Sequence, residues 1–297
     1  MDFLQPVTWA EALEAKAAHP DAVAIAGGTD VMVGINFGHL RPSLLLDLTR
    51  VEDLQDWSTE DSAVRLGAGV SYARVISELG KRLPGLAMAA RTIGSPQIRN
   101  RGTVGGNLAT ASPAGDAHPA LLAADAVVEV ASVRGNRKIP ITDFYTGVKR
   151  NAMDGDELIA AVLITPPSGP QQYSKIGTRN AMVISVAAFG LALHPDRRAV
   201  GTGIGSAAPT PRRARAAEDF LAGELAGAGL WESRAELPAE TAARFGELVA
   251  GAASPIDDVR GSARYRLHAL SVMARRAATW AWADYRNSSS EGGPTCA

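Results

Sequence analysis

One segment, Ser95 to Asp116, constrains the fold of this chain more than any other, because it combines glycine with short polar residues and almost no bulky apolar ones. It reads SPQIRNRGTVGGNLATASPAGD. A core helix or strand would carry a periodic apolar face, so the segment predicts a long ordered loop from Gly102 to Asp116. Successive glycines let backbone N–H groups converge on an anion. A polar loop of this kind is more often functional than purely structural.

A shorter segment of the same character lies upstream, at Ala26-Gly27-Gly28-Thr29-Asp30. Gly27 and Gly28 are expected to form a left-handed turn, and Thr29 to add a hydroxyl donor. Taken alone, the segment is equally consistent with an ordinary turn, because paired glycines are common in turns. Two phosphate-type loops without the lysine of a Walker motif indicate a ligand with a pyrophosphate and a second polar end. A dinucleotide has both features.

Three cations near these loops have two interpretations each. Arg99 and Arg101 flank Asn100 just before the glycine loop. They would either neutralise a pyrophosphate or contact a partner, or remain solvated. Lys175 would reach a ligand held between domains, although a single lysine is more often a surface residue.

The glycines of 201–206 look like part of a dinucleotide-binding fingerprint, but no strand–helix–strand unit surrounds them, and a strand is predicted there.

Apolar periodicity predicts a mixed order of helices and strands, which favours an α+β fold over a single doubly wound sheet. The segment TPPSGP at 165–170 has three prolines and a glycine and predicts a domain boundary. A small sheet with helices should follow it, and a disordered tail should occupy 287–297. Helices are predicted over 8–19, 71–79, 86–91, near 121–122, and over 212–222, 239–250 and 262–282; strands over 23–26, 43–48, 64–66, 127–132, 158–164, 173–177, 184–193 and 199–204.

Charge and residue usage exclude several classes of function. The chain has 30 Lys and Arg against 31 Asp and Glu, so no basic field indicates nucleic acid or an anionic membrane. No apolar run is long enough to span a bilayer and the first residues do not resemble a secretory signal, so we expect a cytoplasmic protein. The single cysteine, Cys296, and scattered histidines predict no metal site in this chain. Surface or half-buried positions are expected for all five histidines: His19, His39, His118, His194 and His268.

Three segments together resemble the FAD-binding medium subunit of molybdenum hydroxylases, the family of xanthine dehydrogenase and carbon monoxide dehydrogenase. They are IAGGTDVMV at 25–33, IRNRGTVGGNLATASPAGD at 98–116 and DDVRGSARYRLHALSVMARRA at 257–277. Within the family, the chain is most similar to the flavin subunit of bacterial xanthine dehydrogenase-type enzymes. The resemblance implies a FAD-binding domain of the vanillyl-alcohol-oxidase (PCMH) type over 1–168, with subdomains of about 1–55 and 56–168. A CO-dehydrogenase-flavoprotein-like C-terminal domain, an antiparallel sheet plus helices, would occupy 173–286.

The resemblance also implies which residues bind FAD. Two pyrophosphate loops are expected, and Ile93 stands where some relatives carry an aromatic residue. Because neither loop contains histidine or cysteine, FAD is expected to be held non-covalently, and no acid–base catalytic residue or metal ligand is assigned. The complete predicted set is Ala24, Ile25, Ala26, Gly27, Gly28, Thr29, Asp30, Val31, Ile93, Thr103, Val104, Gly105, Gly106, Asn107, Ser112, Asp116, Ile159 and Lys175.

The partners follow from the same resemblance. A large molybdopterin-binding subunit would oxidise a purine or another heteroaromatic, and a small subunit with two [2Fe-2S] clusters would pass the electrons to FAD here. FAD would deliver them to NAD or another acceptor, so molybdopterin and iron–sulfur clusters belong only to the partners. Two alternatives stay open, a self-sufficient flavin oxidase or dehydrogenase and an assembly subunit without flavin.

Overall fold

A computed structural model describes residues 1–288 of the chain. The first 47 residues form a three-stranded parallel sheet of order β1-β3-β2. The capping box predicted at the first helix is present, since the Thr8 hydroxyl accepts from the Glu11 N–H and the Glu11 carboxylate accepts from the Thr8 N–H. The elements are β1 (Asp2–Leu4), α1 (Trp9–Ala18), β2 (Val23–Ile25), α2 (Val31–Asn36) and β3 (Leu44–Asp47).

The next part of the chain forms a five-stranded antiparallel sheet of order β4-β5-β10-β6-β7. Its central strand, β10, is apolar along its length because it lies inside the larger of two hydrophobic cores. The elements are β4 (Trp57–Glu60), β5 (Ala63–Gly67), α3 (Tyr72–Glu78), α4 (Pro84–Arg91), α5 (Pro96–Arg101), α6 (Val104–Thr110), α7 (Ala117–Ala123), β6 (Val127–Ser132), β7 (Gly135–Pro140), α8 (Ile141–Phe144), β8 (Tyr145–Gly147), β9 (Arg150–Asn151) and β10 (Leu158–Ile164).

After the proline-rich connection, a three-stranded antiparallel sheet of order β11-β12-β13 packs with helices around a second hydrophobic core. The stripe predicted on the last helix is confirmed, since Leu270, Met273, Ala274 and Ala277 are buried. The elements are β11 (Gln171–Ile176), β12 (Ala187–His194), β13 (Ala199–Gly205), α9 (Arg215–Gly227), α10 (Leu230–Ser233), α11 (Ala239–Gly251) and α12 (Ala263–Asn287).

Several boundaries differ from the predictions; for example, the strand expected from residue 184 begins only at Ala187. The predicted loop over residues 102–116 is wrong, because α6 occupies its centre. The helix expected from Arg212 begins only at Arg215, since residues 204 and 212 pair in a short bridge before it. Asn287 ends α12 and does not begin a disordered tail, because the helix continues past the buried Trp282. The rest of the predicted tail, residues 289–297 with Cys296, lies outside the described residues.

The glycines of 201–206 lie in β13, as predicted, and they allow another backbone segment to pack closely against the strand. A Cβ atom on Gly203 would lie well under 3.0 Å from the carbonyl oxygen of Pro119, and one on Gly201 equally close to that of Ala123. The backbone of α7 therefore crosses β13 at a distance that only glycine allows. This crossing holds the C-terminal sheet against the preceding part of the chain.

Among residues 1–288, no helix has the length and apolar character needed to cross a bilayer.

Candidate functional site

The two glycine-rich segments predicted from the sequence line one cavity of about 530 Å³. It lies where the turn after β2 meets α5 and α6, so the parallel sheet and the helices that follow β5 each contribute part of its wall. The structure therefore brings the two segments together. Twelve of the predicted FAD-binding residues line this cavity: Ala24, Ala26, Gly27, Gly28, Thr29, Asp30, Val31, Ile93, Thr103, Gly106, Asn107 and Ser112.

The turn after β2 needs its two glycines for different reasons. Gly28 has φ +74°, the left-handed conformation predicted for it. Gly27 does not adopt that conformation, so this part of the prediction is wrong. A Cβ atom on Gly27 would instead collide with the carbonyl oxygen of Arg101 at the end of α5. Gly27 thus allows the two cavity-lining segments to approach each other.

The second segment consists of two short helices with a capped start each. The Ser95 hydroxyl accepts from the Ile98 N–H at 3.3 Å and the Thr103 hydroxyl accepts from the Gly106 N–H at 2.9 Å. Helices α5 and α6 have six and seven residues, too few to show an apolar period, and the sequence therefore predicts a loop here. The Ser-Pro pair at 95–96 is the sequence signal that indicates the start of a helix. Gly105 lies in the first turn of α6 rather than in a left-handed nest, and its Cβ would lie 2.6 Å from the carbonyl oxygen of Ala68.

Two residues that line the cavity each keep a buried polar atom without a partner. Within residues 1–288, these atoms are the Tyr72 hydroxyl and the Asn107 Oδ1 atom, and an unpaired buried polar atom costs about 1–3 kcal/mol. Both atoms lie beneath the surface of the wall, so the fit to a dinucleotide such as FAD rests on the volume of the cavity and on its two glycine-rich walls.

A second, apolar cavity of about 190 Å³ adjoins the first and shares four residues with it: Ala24, Ala26, Gly106 and Ala109. Leu48, Leu54 and Met153 are among its walls. Its size and apolar lining suit a flat aromatic ring system. Three further predicted residues line it, namely Ile25, Gly105 and Ile159.

The remaining predicted residues lie beside these cavities. Val104 is fully buried in the core. Lys175 borders a separate cleft with three arginines, and its ammonium group lies 2.6 Å from the carboxylate of Asp116, which lines neither cavity. Burial raises the pKa of the Asp116 carboxyl above its ordinary value, and the charge of Lys175 opposes that shift. Arg99 is held by the carbonyl oxygens of residues 93 and 94 rather than solvated, whereas Arg101 is exposed.

Several cavity residues carry no sequence signal for this role. Tyr72 belongs to the buried face of α3, and only the tertiary packing places it in the cavity wall. Ile184 comes from the segment between β11 and β12, 68 residues after the end of the second glycine-rich segment at Asp116. Of the other lining residues outside the predicted set, Ile98, Gly102, Ala109, Thr110, Ala114 and Gly115 lie within the glycine-rich segment 95–116, and Val23 lies in β2.

Two histidines are buried, contrary to the surface or half-buried positions expected for them. His194 packs within the C-terminal sheet, and His118 lies fully buried in α7 with its Nδ1 atom 2.8 Å from the Tyr145 hydroxyl. Burial lowers the pKa of His118 to about 3. Across residues 1–288, no cluster of three or more His, Cys, Asp or Glu residues is placed to hold a metal ion.

Because His118 is buried in its neutral form, we expect the fold to lose stability in acid. In the unfolded chain the imidazole binds a proton below a pH of about 6.5, whereas the folded protein does not until about pH 3. Between these values the free energy of unfolding should fall by about 1.4 kcal/mol per pH unit on account of His118. Denaturant unfolding of the wild type and of His118→Gln at pH 7.5 and 5 measures this. A pH dependence that is identical in both proteins would contradict the assignment.

Comparisons with known proteins come from both sequence and structure. Residues 1–167 match the family described as FAD binding domain in molybdopterin dehydrogenase, and residues 172–281 match the CO dehydrogenase flavoprotein C-terminal domain. The chain is 34% identical over 210 residues to the nicotinate dehydrogenase FAD-subunit of Eubacterium barkeri, covering 68% of this chain and 71% of that protein.

Two further proteins are similar over nearly their whole length. The putative xanthine dehydrogenase FAD-binding subunit XdhB of Escherichia coli strain K12 is 30% identical over 287 residues, which is 92% of this chain and 93% of that protein. A crystal structure of the Cu,Mo-CO dehydrogenase in its cyanide-inactivated form contains a chain that superposes with a TM-score of 0.86 at 27% identity. That superposition covers 96% of this chain and 98% of the other. The α+β fold class predicted from the sequence is confirmed by these matches.

Proposed function

Because the chain belongs to the family of FAD-binding domains of molybdopterin dehydrogenases and is an oxidoreductase subunit, we propose that it is the electron-transfer subunit of a molybdenum hydroxylase. It takes electrons from the [2Fe-2S] clusters of a partner and passes them to NAD or another acceptor. The observation that carries the proposal is the cavity of about 530 Å³ that the two glycine-rich segments line together.

The residues of the cavity define how FAD is held. The turn at 26–30 and the start of α6 would hold the pyrophosphate, and the apolar cavity would accommodate one of the two flat ring systems. When bound, FAD supplies the redox chemistry, and the protein supplies binding, orientation and exclusion of water. Of the predicted set, Lys175 and Asp116 line neither cavity and remain proposed FAD-binding residues beside the wall. Binding is non-covalent, because the described lining of both cavities has neither histidine nor cysteine.

The wider proposal concerns organisation and partners. Residues 1–168 form the FAD-binding domain with subdomains of about 1–55 and 56–168, and residues 173–286 form the C-terminal domain. A large molybdopterin-binding subunit and a small [2Fe-2S] subunit complete a cytoplasmic complex. Its substrate is a purine or another heteroaromatic, which the names of the nicotinate and xanthine dehydrogenase relatives support.

Flavin retention by the purified full chain tests the proposal. After incubation with excess FAD and removal of the free cofactor, we expect equimolar flavin in the visible absorption spectrum. Denaturation should release it as free FAD. An organic substrate should reduce this flavin only in the presence of the partner subunits. Absence of flavin bands would contradict the proposal, and turnover by the isolated chain would favour a self-sufficient oxidase.

A further inference from the structure

A buried lysine, Lys16, borders the apolar cavity. It lies in the last turn of α1, is only 8% exposed, and is one of the residues that line that cavity. Its Nζ atom donates hydrogen bonds to the carbonyl oxygens of Pro20 at 2.7 Å and Ala22 at 2.8 Å. Because an ammonium group has three N–H donors and residues 1–288 offer Nζ no further partner, one donor is left for a ligand.

The two hydrogen bonds of Lys16 also close the turn between α1 and β2, but closing a turn does not require burial. A lysine that binds carbonyl oxygens after a helix ordinarily keeps its charged end in water while its stem packs on the protein. Here burial lowers the pKa of the Lys16 ammonium, and the charges of Asp21 and Asp156 oppose that shift. A polar contact inside the cavity would offset the cost of this burial.

Lys16 is the charged donor of a cavity that is otherwise mostly apolar. Two other polar side chains line it, those of Asn151 and Glu157. Both oxygens of the Glu157 carboxylate accept hydrogen bonds from Arg137. The side chain of Asn151 donates to one backbone carbonyl and accepts from one backbone N–H. The ammonium of Lys16 therefore has the strongest unused capacity to bind a ligand atom here.

The size of the apolar cavity favours the smaller ring system of FAD. It has a volume of about 190 Å³, against about 530 Å³ for the cavity that the glycine-rich segments line. Adenine has two fused rings and isoalloxazine has three, so the apolar cavity suits adenine better. The edge of adenine carries the ring nitrogens N1, N3 and N7, and each accepts a hydrogen bond. A buried ammonium at the cavity wall is the complementary donor.

We propose that Lys16 is a specificity-determining residue for the adenine of FAD, and that its third N–H donates to a ring nitrogen of the base in the apolar cavity. The inference rests on the proposed function and deepens it, since it assigns the base to one cavity and names the side chain that recognises it. A base with carbon in place of that nitrogen would leave a buried N–H unpaired. Sites built around such a hydrogen bond discriminate strongly against a ligand that lacks the acceptor.

Titration of the full chain with FAD and with three FAD analogues, followed by flavin fluorescence, tests this contact. In the analogues, N1, N3 or N7 of adenine is replaced by C–H. We expect the wild type to bind at least one analogue roughly tenfold more weakly than FAD, and Lys16→Met to bind that analogue and FAD equally. Each comparison uses one protein with two ligands, so a change in fold stability cancels. Equal binding of all four ligands by the wild type, or the same discrimination in Lys16→Met, would overturn the inference.

A second variant in the same helix provides the control. Glu11→Ala breaks the capping box at the start of α1, where the Glu11 carboxylate accepts from the N–H groups of Val7 and Thr8. We expect it to lower thermal stability and to keep the discrimination between FAD and the analogue. Loss of that discrimination in Glu11→Ala as well would mean that it depends on the helix and not on the ammonium group. A wild-type chain that binds no FAD would overturn the proposed function, whereas one that binds FAD without discrimination overturns only this inference.

Discussion

Gly27→Ala is expected to lower FAD affinity by a factor of roughly 100 or more while leaving the C-terminal helices folded. The reason is space, since the added Cβ atom would overlap the carbonyl group of Arg101, a backbone atom fixed by α5. The turn after β2 must then move away from α5 and α6, which separates the two segments that line the cavity. Titration with FAD measures the loss, and circular dichroism reports whether the helices remain.

Two other glycines provide graded controls for this prediction. Gly28→Ala should cost about 1 kcal/mol, close to a fivefold loss of affinity, because φ is +74° there but the nearest atom to a Cβ would lie at 3.5 Å. Gly223→Ala in α9 introduces no contact within 4 Å and should leave FAD affinity unchanged. If Gly27→Ala bound FAD as tightly as Gly223→Ala, the close approach of the two segments would have no part in binding.

The second large effect is expected in stability rather than in binding. Gly203→Ala should lower the free energy of unfolding by about 3 kcal/mol, because its Cβ would collide with the backbone of Pro119 where α7 crosses β13. The thermal midpoint should fall by roughly 6 °C or more. Calorimetry of the full chain measures the change.

Gly223→Ala again serves as the control, and here we expect it to raise the free energy of unfolding rather than lower it. Alanine in the interior of an exposed helix should stabilise the protein by about 0.5–1 kcal/mol. A thermal midpoint of Gly203→Ala equal to that of the wild type would mean that α7 and β13 are not in close contact. The packing that holds the C-terminal sheet beside the cavity would then need a different description.

The sequence predicted elements well where the local pattern is complete. The capping box at Thr8 and the buried stripe at Leu270 and Met273 each lie within a single helix, so the information is local. The shared cavity was predictable for a similar reason, because paired glycines next to short polar residues mark both of its walls. Helices α5 and α6 were missed since each has fewer than two turns, too few for an apolar period.

The purpose of individual glycines could not be read from the sequence. Gly27, Gly105 and Gly203 are required because a distant backbone passes close to them, whereas only Gly28 in this group needs a left-handed conformation. The partners of Asp116 were equally hidden, because Tyr173 and Ser185 follow it by 57 and 69 residues. Contacts over such separations depend on the tertiary fold, which no local pattern reports.

A crystal structure of the full chain grown with FAD tests the central claim most directly. The account predicts one FAD whose pyrophosphate lies between the turn at residues 26–30 and the first turn of α6. A flavin bound elsewhere on the chain would contradict the account. So would a bound FAD whose pyrophosphate contacts neither of these two segments.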